Sequence, residues 1–365
     1  MNLTRCTQCI LPTTLPGVAV DQKGICNYCH AFPKARTNGA SPEVLRQRFA
    51  RYLRRVEGRK GYQCLVPVSG GKDSMYVLYV LAQEFGLNVL AYNFDNGFQS
   101  ERARQNIQRA VKKLGVELIV FKPREDVLFQ LYKTFLVRTG EFCTPCNMMI
   151  GAVANTLARK FHVPLVATGG SDRHSSAVYG MSMSQYMDRR YYRAVIDGQI
   201  EWGSVRQYVA AHPVQNGLRR LSGRAPEQVN VLSYFHPGAE QMQQVLESEL
   251  GWESPSEELE HGDCLLNPLK DYLMNKRWGY SELTQAYSSL VRAEEMTRDE
   301  ALCRAEREEV REEPAIVHQF LEKIGASYDE YLQGQRHHFT EYPNHKSSRY
   351  FKVGQRMMSV LRPRP

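Results

Sequence analysis

The stretch that decides the fold is Cys64-Leu-Val-Pro-Val-Ser-Gly-Gly-Lys-Asp-Ser74, followed by Met75-Tyr-Val-Leu-Tyr-Val-Leu-Ala-Gln-Glu84. Its apolar first half predicts a buried strand, the Gly-Gly pair predicts a turn, and the apolar spacing after Ser74 predicts a helix. Glycines let backbone N–H groups approach an anion closely. The helix start adds partial positive charge and Lys72 adds a full one. The stretch therefore predicts a phosphate-binding loop.

This loop lacks the G-x4-G-K-[ST] pattern of the ATPase P-loop. It resembles instead SGGxDS, the PP-loop of the ATP pyrophosphatases. The resemblance implies that the loop grips pyrophosphate while ATP is split between its α and β phosphorus atoms, with Mg²⁺ neutralising the pyrophosphate. Lys72 and Asp73 are the loop's catalytic candidates. The residues that we expect to bind ATP here are Ser69, Gly70, Gly71, Lys72, Asp73 and Ser74.

Further strands and helices alternate after this loop. Apolar runs predict strands that end at Asp95, at Phe121 and at Thr168, with helical stretches at 101–114 and 146–161 between them. Such alternation predicts an α/β fold with a doubly wound parallel sheet, whose ligands bind at the carboxyl ends of the strands. Asp95 and Gly169 stand at those ends and are candidate nucleotide contacts. Asp95 is equally suited to a turn role.

Four of the nine cysteines form two CxxC pairs near the N-terminus. Each short turn aims two thiolates at one ion, as tetrahedral zinc requires. The sixteen residues between the pairs are enough for one small hairpin. We therefore predict a structural Zn²⁺ ribbon at residues 1–33, held by Cys6, Cys9, Cys26 and Cys29.

A second group comprises Cys143, Cys146 and the distant Cys264. A lone CxxC is typical of a redox pair or of half a metal site. Three cysteines can also hold a [4Fe–4S] cluster and leave one iron open. A second zinc site, a buried thiol at Cys264 and a CxxC without metal are the other interpretations. We take all three cysteines as candidate catalytic or cluster-binding residues.

The ribbon, the PP-loop, the FDNG turn at 94–97, the CTPC motif at 143–146 and the later cysteine together resemble the N-acetyl sugar amidotransferases. The resemblance runs from Cys6 to about Ala305. It implies adenylation of an amide oxygen on a small acceptor, a sugar, followed by attack of ammonia from a separate glutaminase. The segment 169–180 departs from that family's GENP-x-AEYGG pattern, so the acceptor does not carry over.

The same motifs resemble the iron–sulfur-dependent PP-loop tRNA thiolases. That alternative implies replacement of the activated oxygen by sulfur from a sulfur-donor protein, on an adenylated tRNA base or small metabolite.

The formal net charge of +8 is concentrated in one segment. Residues 334–365 carry seven Lys or Arg against one acid, a net of +6, which leaves +2 for the other 333 residues. A nucleic-acid partner is therefore not favoured by the charge of the body.

No run of eighteen apolar residues exists, which excludes a membrane span, and the N-terminus lacks an apolar signal region. We expect a cytoplasmic protein.

The chain of 365 residues predicts two domains with appendages. A basic helical segment precedes the α/β domain, either as a solvated amphipathic helix or as a phosphate- or RNA-facing surface. Arg173 and His174, beyond the last strand, are candidate contacts to an anionic acceptor. Residues 292–313 are predicted to form one acid-rich helix.

The predicted divisions are a zinc ribbon at 1–33, a basic helical linker at 34–60, a PP-loop ATP-binding α/β domain at 61–180, a substrate-covering insertion and helical region at 181–333, and a basic tail at 334–365.

Overall fold

The computed structural model describes residues 4–15, 18–32, 42–170, 189–209, 225–235, 237–255, 262–337 and 341–343. Five strands form one fully parallel sheet in the order β3-β2-β1-β4-β5. The strands are β1 Cys64–Pro67, β2 Val89–Phe94, β3 Glu117–Phe121, β4 Leu165–Thr168 and β5 Glu227–Asn230. The order reverses between β1 and β4, so a crevice opens there at the carboxyl ends of the strands. The doubly wound parallel sheet is confirmed.

Helices cover both faces of the sheet. They are α1 Asn27–Ala31, α2 Pro42–Val56, α3 Lys72–Tyr79, α4 Glu101–Leu114, α5 Glu125–Thr139, α6 Cys143–Lys160, α7 Arg189–Ile196, α8 Trp202–Val205, α9 Ala239–Leu250, α10 Asn267–Trp278, α11 Glu282–Arg292, α12 Arg298–Glu308, α13 Ile316–Ile324 and α14 Tyr328–Gly334. Helix α3 continues into a wider π turn at Val80–Glu84. Among the described helices, none has the length and apolar character that a membrane crossing requires.

Alternation along the strands sends side chains to two apolar cores. Leu65 of β1 faces the core built with α5, α6 and α13. Its neighbours Cys64 and Val66 face the core built with α2, α3, α4 and α9. Successive strand residues point to opposite faces, so both faces of a central strand must be apolar when helices cover both. Cys64 is accordingly a core residue, as its apolar surroundings in the sequence predict.

The sheet extends beyond the range predicted for the α/β domain. Strand β5 pairs with β4, and α9 packs on α3, although both follow residue 180. Part of the predicted insertion is therefore a continuation of the sheet. Residues 171–188, which include the candidate contacts Arg173 and His174, lie outside the described residues, as do residues 338–340 and 344–365 of the predicted tail.

The acid-rich stretch 292–313 is not one helix, which corrects the prediction. Helix α11 ends at Arg292, and α12 begins only at Arg298. Glu294 adopts a left-handed backbone with φ of 62°, which a continuous helix does not allow. The Thr297 hydroxyl then accepts a hydrogen bond from the Glu300 N–H and caps the new helix.

Helix α2 is the basic segment that precedes β1. Phe49, Tyr52 and Val56 are buried on its inner face, while its arginines are exposed. Arg55 pairs with Glu227 of β5, and Arg46 lies over the ring of Phe235. The helix therefore packs against the α/β unit as an amphipathic helix, and a role of its outer arginines toward RNA stays a prediction.

Candidate functional site

The SGGKDS segment forms a closed turn between β1 and α3. The Ser69 N–H donates to Ser74 Oγ at 3.1 Å, and the Gly71 N–H donates to Ser69 Oγ at 3.3 Å. Ser74 Oγ donates back to the Gly71 carbonyl at 3.1 Å. No described side chain caps the start of α3. The turn thus fixes the first helical N–H groups at the crevice, where they favour an anion.

Position 70 of this turn can be occupied only by glycine. Its φ is +87°, and a Cβ placed on it would lie 2.2 Å from the Ala103 carbonyl oxygen. The Gly70 carbonyl accepts hydrogen bonds from Trp252 Nε1 at 2.9 Å and from Asn106 Nδ2 at 3.2 Å. The loop is therefore held by hydrogen bonds between α4 and the segment that follows α9. The bond from Trp252 to Gly70 joins residues that are 182 positions apart in the chain.

A cavity of about 260 Å³ opens on this loop. Gly169 at the end of β4 belongs to it, and a Cβ on Gly169 would lie 3.1 Å from Asp73 Cβ. The absence of a side chain there lets the first turn of α3 lie close to the end of β4. Lys72 supplies positive charge, and the carboxylates of Asp73 and Asp263 are of the type that holds Mg²⁺ beside phosphates. The lining residues are Ser69, Gly71, Lys72, Asp73, Ser74, Gly169, Trp252, Pro255, Gly262 and Asp263.

A second cavity of about 380 Å³ adjoins the first, and the two share Ser69, Ser74 and Asp263 in their walls. Cys143 and Cys146 line it from the first turn of α6, and Cys264 lines it from the loop before α10. The structure therefore brings the three predicted cysteines to one cavity, beside the phosphate loop. Asn96 joins two of them, because its Nδ2 lies 3.4 Å from Cys264 Sγ and 3.9 Å from Cys146 Sγ.

Burial raises the pKa of all three thiols. The pKa of Cys146 rises to about 12, and that of Cys143 rises well above its usual range. The thiols are therefore neutral without a bound metal, and a metal would have to displace their protons. Their sulfurs do not all lie within 4.8 Å of one another, unlike those of the ribbon. Which ion or cluster these three cysteines would hold stays a prediction.

Lys270 brings a buried positive charge to the same cavity. Its Nζ lies 2.7 Å from Glu282 Oε2, and its side chain is 18% exposed. Burial opposes its charge, but the carboxylates of Glu282 and Asp271 outweigh burial and raise the pKa of Lys270. The lysine is therefore a fixed cation next to Cys143, and it also lowers the penalty for ionising that thiol.

Gln99, Asn96, Asp263 and Lys270 were not identified as site residues from the sequence. Gln99 follows the predicted FDNG turn, and its partner Cys264 is 165 positions away in the chain. Asp263 precedes a cysteine that the sequence did identify, but nothing local places it beside Gly71. Only the fold joins these segments, so no signal in the sequence alone could have identified them together.

Asp95 takes the turn role. Its Oδ1 accepts a hydrogen bond from the Gly97 N–H at 3.0 Å, which fixes the turn that carries Asn96 and Gln99. Asp95 lines neither of the two cavities. A direct nucleotide contact for Asp95 stays a prediction.

The N-terminal cysteines Cys6, Cys9, Cys26 and Cys29 form the one group of metal-ligating side chains found in the part of the chain that the structure describes, with all four sulfurs within 4.8 Å of one another. The Cys6–Cys29 and Cys9–Cys26 distances are 3.8 Å. A tetrahedron of thiolates about 2.3 Å from zinc has edges of about 3.8 Å, so the donor set fits that ion. Hydrogen bonds from neighbouring thiols, first that of Cys29, lower the pKa of Cys26 to about 6.

A buried cation stands beside this cysteine group. Arg292 is 7% exposed, and its Nη1 donates to Cys9 Sγ at 3.6 Å. Arg298 Nε donates to the carbonyls of Cys6 and Cys9 at 3.3 and 3.2 Å. Four thiolates around one divalent ion carry excess negative charge, which a buried guanidinium offsets. The ribbon is thus docked on α11 and α12 by the same arginines that complement its charge.

The SGGKDS turn lies at a reversal of a parallel sheet, which is the placement that the sequence resemblance to the PP-loop ATP pyrophosphatases predicts. Residues 253–358, less than a third of the chain, match the family model described as "LPS biosynthesis protein WbpG-like, C-terminal domain". That match includes Asp263, Cys264, Lys270 and Glu282, which line the second cavity.

One curated relative matches a part of the chain. An uncharacterized protein of Methanocaldococcus jannaschii, MJ1599, is 32% identical over 100 residues, which are 27% of this chain and 34% of that protein. The chain therefore spans about a third of the curated relative it matches.

Two solved structures are similar to this chain at low identity. The U34-tRNA thiolase NcsA from Methanococcus maripaludis, solved with its [4Fe-4S] cluster, is 15% identical, with a TM-score of 0.31 over 80% of this chain and 87% of that chain. An NH3-dependent NAD synthetase from Campylobacter jejuni is 12% identical, with a TM-score of 0.32 over 58% of this chain and 94% of that chain.

Proposed function

We propose that the protein transfers AMP from ATP to the oxygen of an amide-type acceptor, an N-acetyl sugar, and that ammonia-derived nitrogen then replaces this oxygen. One observation carries the proposal. The cavity on the phosphate loop and the cavity with the three cysteines share Ser69, Ser74 and Asp263, so an activated acceptor need not move between activation and displacement.

The phosphate loop supports the first step. The acceptor oxygen attacks the α phosphorus, the bond from that phosphorus to the bridging oxygen breaks, and pyrophosphate leaves. The loop N–H groups and Lys72 stabilise the negative charge that develops on pyrophosphate. Mg²⁺, held by Asp73 and Asp263, would reduce the charge on the triphosphate. The reaction needs no separate base in this step, because an amide oxygen carries no proton to be removed.

The cysteine cavity supports the second step. Transfer of AMP converts a poor leaving oxygen into a good one, and ammonia attacks the carbon that bears it. AMP then departs with the oxygen, a proton passes to water, and an amidine remains. The 380 Å³ cavity has room for a monosaccharide-sized acceptor. We infer that ammonia comes from a separate glutaminase, as the resemblance to the N-acetyl sugar amidotransferases implies.

Sulfur transfer is the alternative, and the three cysteines around one cavity favour it specifically. Cys143, Cys146 and Cys264 could hold a [4Fe–4S] cluster with one iron open for sulfide, as clusters with three protein thiolates allow. The acceptor would then be an adenylated tRNA base or a small metabolite, and the product a thioamide.

A comparison of nucleophiles separates the two reactions. The protein, purified without oxygen, is incubated with ATP, Mg²⁺ and an N-acetyl sugar panel, with either ammonium or sulfide, and the products are identified by mass spectrometry. We expect an amidine with ammonium, and AMP formation retained within about threefold in Cys264→Ala. A thioamide, together with protein-bound iron that disappears in Cys264→Ala, would instead establish sulfur transfer. Cys303→Ala, at an exposed cysteine, is the matched control.

A further inference from the structure

Gln99 lies between the two halves of the site. An antiparallel bridge joins it to Cys264, with the Leu265 N–H donating to the Phe98 carbonyl at 2.9 Å and the Ser100 N–H donating to the Asp263 carbonyl at 3.0 Å. Residues directly opposite in such a bridge project to the same side. The Gln99 side chain therefore stands next to that of Cys264, and both line the 380 Å³ cavity.

The side-chain amide of Gln99 is hydrogen-bonded through its nitrogen but not through its oxygen. Nε2 donates to the Ser69 carbonyl at 2.8 Å, so the amide lies against the phosphate loop. Oε1 is buried, and among the described residues it has no hydrogen-bond partner, although Gln99 is only 7% exposed. Buried acceptors in native proteins are nearly always paired, so an unpaired one in a cavity wall indicates a missing donor.

A second buried polar atom that lines this cavity is also unpaired. The Tyr92 hydroxyl has no partner among the described residues, and Tyr92 is 1% exposed. Two orphaned polar atoms on one cavity indicate a ligand that supplies hydrogen-bonding groups of its own. The hydrogen bond from Nε2 to the Ser69 carbonyl restrains the Gln99 amide, and with it the unpaired Oε1, in the wall of this cavity.

We infer that Gln99 Oε1 accepts the hydrogen bond of the N–H group next to the acceptor's reacting carbonyl. The inference rests on the proposed function and names the residue that recognises the –CO–NH– unit. The carbonyl oxygen must reach the α phosphorus at the loop, and its carbon must face the nucleophile at the cysteines. The group that bridges these two points passes along Gln99.

Such a contact stabilises the transition state more than the ground state. When the carbonyl oxygen bonds to the α phosphorus and pyrophosphate leaves, the amide becomes an O-adenylated imidate with positive charge shared by its N–H. That N–H is a stronger donor than an ordinary amide N–H, so its bond to a fixed carbonyl oxygen strengthens as the reaction proceeds. The proton stays on nitrogen during this step.

The test removes each side of the hydrogen bond in turn. The acceptor probes are an N-acetylhexosamine and its N-methyl derivative, which lacks the N–H. In the unmodified protein, we expect N-methylation to lower AMP formation roughly 10- to 100-fold, the loss typical of an unpaired buried acceptor. Gln99→Met should lower AMP formation from the N–H probe by a similar factor, with no further loss on N-methylation.

Binding of the same probes gives a readout without turnover. With α,β-methylene-ATP present, NMR should show that the N–H probe binds more tightly than its N-methyl derivative, and that Gln99→Met removes the difference. Gln105→Met, an exposed glutamine on α4, should behave as the unmodified protein. If Gln99→Met melts at a lower temperature, Gln99→Glu, which keeps an oxygen at this position, should still discriminate between the probes.

The possible results separate the two claims. If no probe yields AMP while Gln99-dependent discrimination in binding persists, the proposed adenylation fails and the recognition role stands. If AMP forms but N-methylation costs the same factor in Gln99→Met as in the unmodified protein, Gln99 does not recognise the N–H. Equal binding of both probes to the unmodified protein would overturn the inference as well.

Discussion

Gly70→Ala is expected to lower AMP formation at least about 100-fold, the effect of losing an anion-stabilising donor set. A Cβ at this position would lie 2.2 Å from the Ala103 carbonyl oxygen and would need a left-handed φ of +87°. The loop must therefore move away from α4, which displaces the N–H groups that face pyrophosphate. Pyrophosphate and AMP release, together with urea unfolding, measure the two effects. We expect a loss of about 3 kcal/mol in the free energy of unfolding.

Gly86→Ala is the matched control. Gly86 also has a positive φ, +59°, but no atom lies within 4 Å of the Cβ position. The strain of the left-handed backbone alone costs about 1–2 kcal/mol, so this variant should lose some stability and keep its activity. If Gly70→Ala made AMP at the rate of Gly86→Ala, the loop would not be the phosphate-binding element of this protein.

Cys9→Ser is expected to produce the largest loss of stability. Binding of a structural zinc ion supplies on the order of 10 kcal/mol to small zinc domains, and much of this is lost with one thiolate. The ribbon docks on α11 and α12 through Arg292 and Arg298, so its loss also removes the packing on those helices. We expect the thermal midpoint to fall by roughly 10 °C, with one equivalent of zinc missing from the purified protein.

A chelator should reproduce this fall in the unmodified protein. Cys303→Ser, at an exposed cysteine, should leave both the zinc content and the midpoint unchanged. A protein purified without any metal at the ribbon, with the same midpoint in Cys9→Ser and in the unmodified chain, would contradict the structural role of this site.

The features predicted well are those encoded by neighbouring residues. The strand, turn and helix around SGGKDS follow from hydrophobic spacing and two glycines within about twenty residues. Helix α4 at Glu101–Leu114 and strand β3 at Glu117–Phe121 have the predicted bounds. The four ribbon cysteines were also found from spacing alone, because each CxxC turn is a local geometry.

Strand β5 shows where local patterns stop being informative. Its residues Glu227-Gln-Val-Asn230 contain one apolar side chain, Val229, and the strand lies at the sheet edge. An edge strand needs few buried side chains, so its sequence carries little β signal. The pairing with β4 supplies the backbone hydrogen bonds that define it, and pairing cannot be read from four residues.

The chemistry of the second cavity was predicted only in part. Cys143, Cys146 and Cys264 were singled out by residue type, but their meeting depends on the bridge between Gln99 and Cys264. The Lys270–Glu282 pair joins two helices, α10 and α11, across a turn. Contacts of this kind depend on how helices pack, which follows from the whole core and not from any one segment.

The most direct test of the proposed adenylation traces the amide oxygen of the acceptor into the products. An N-acetyl sugar labelled with ¹⁸O at its amide carbonyl is incubated with the protein, ATP, Mg²⁺ and ammonium, and the AMP is examined by mass spectrometry and ³¹P NMR. Transfer of AMP to the amide oxygen, followed by displacement, predicts that AMP carries the label and that pyrophosphate does not. Unlabelled AMP, or cleavage of ATP to ADP and phosphate, would contradict the adenylation that we propose for this protein.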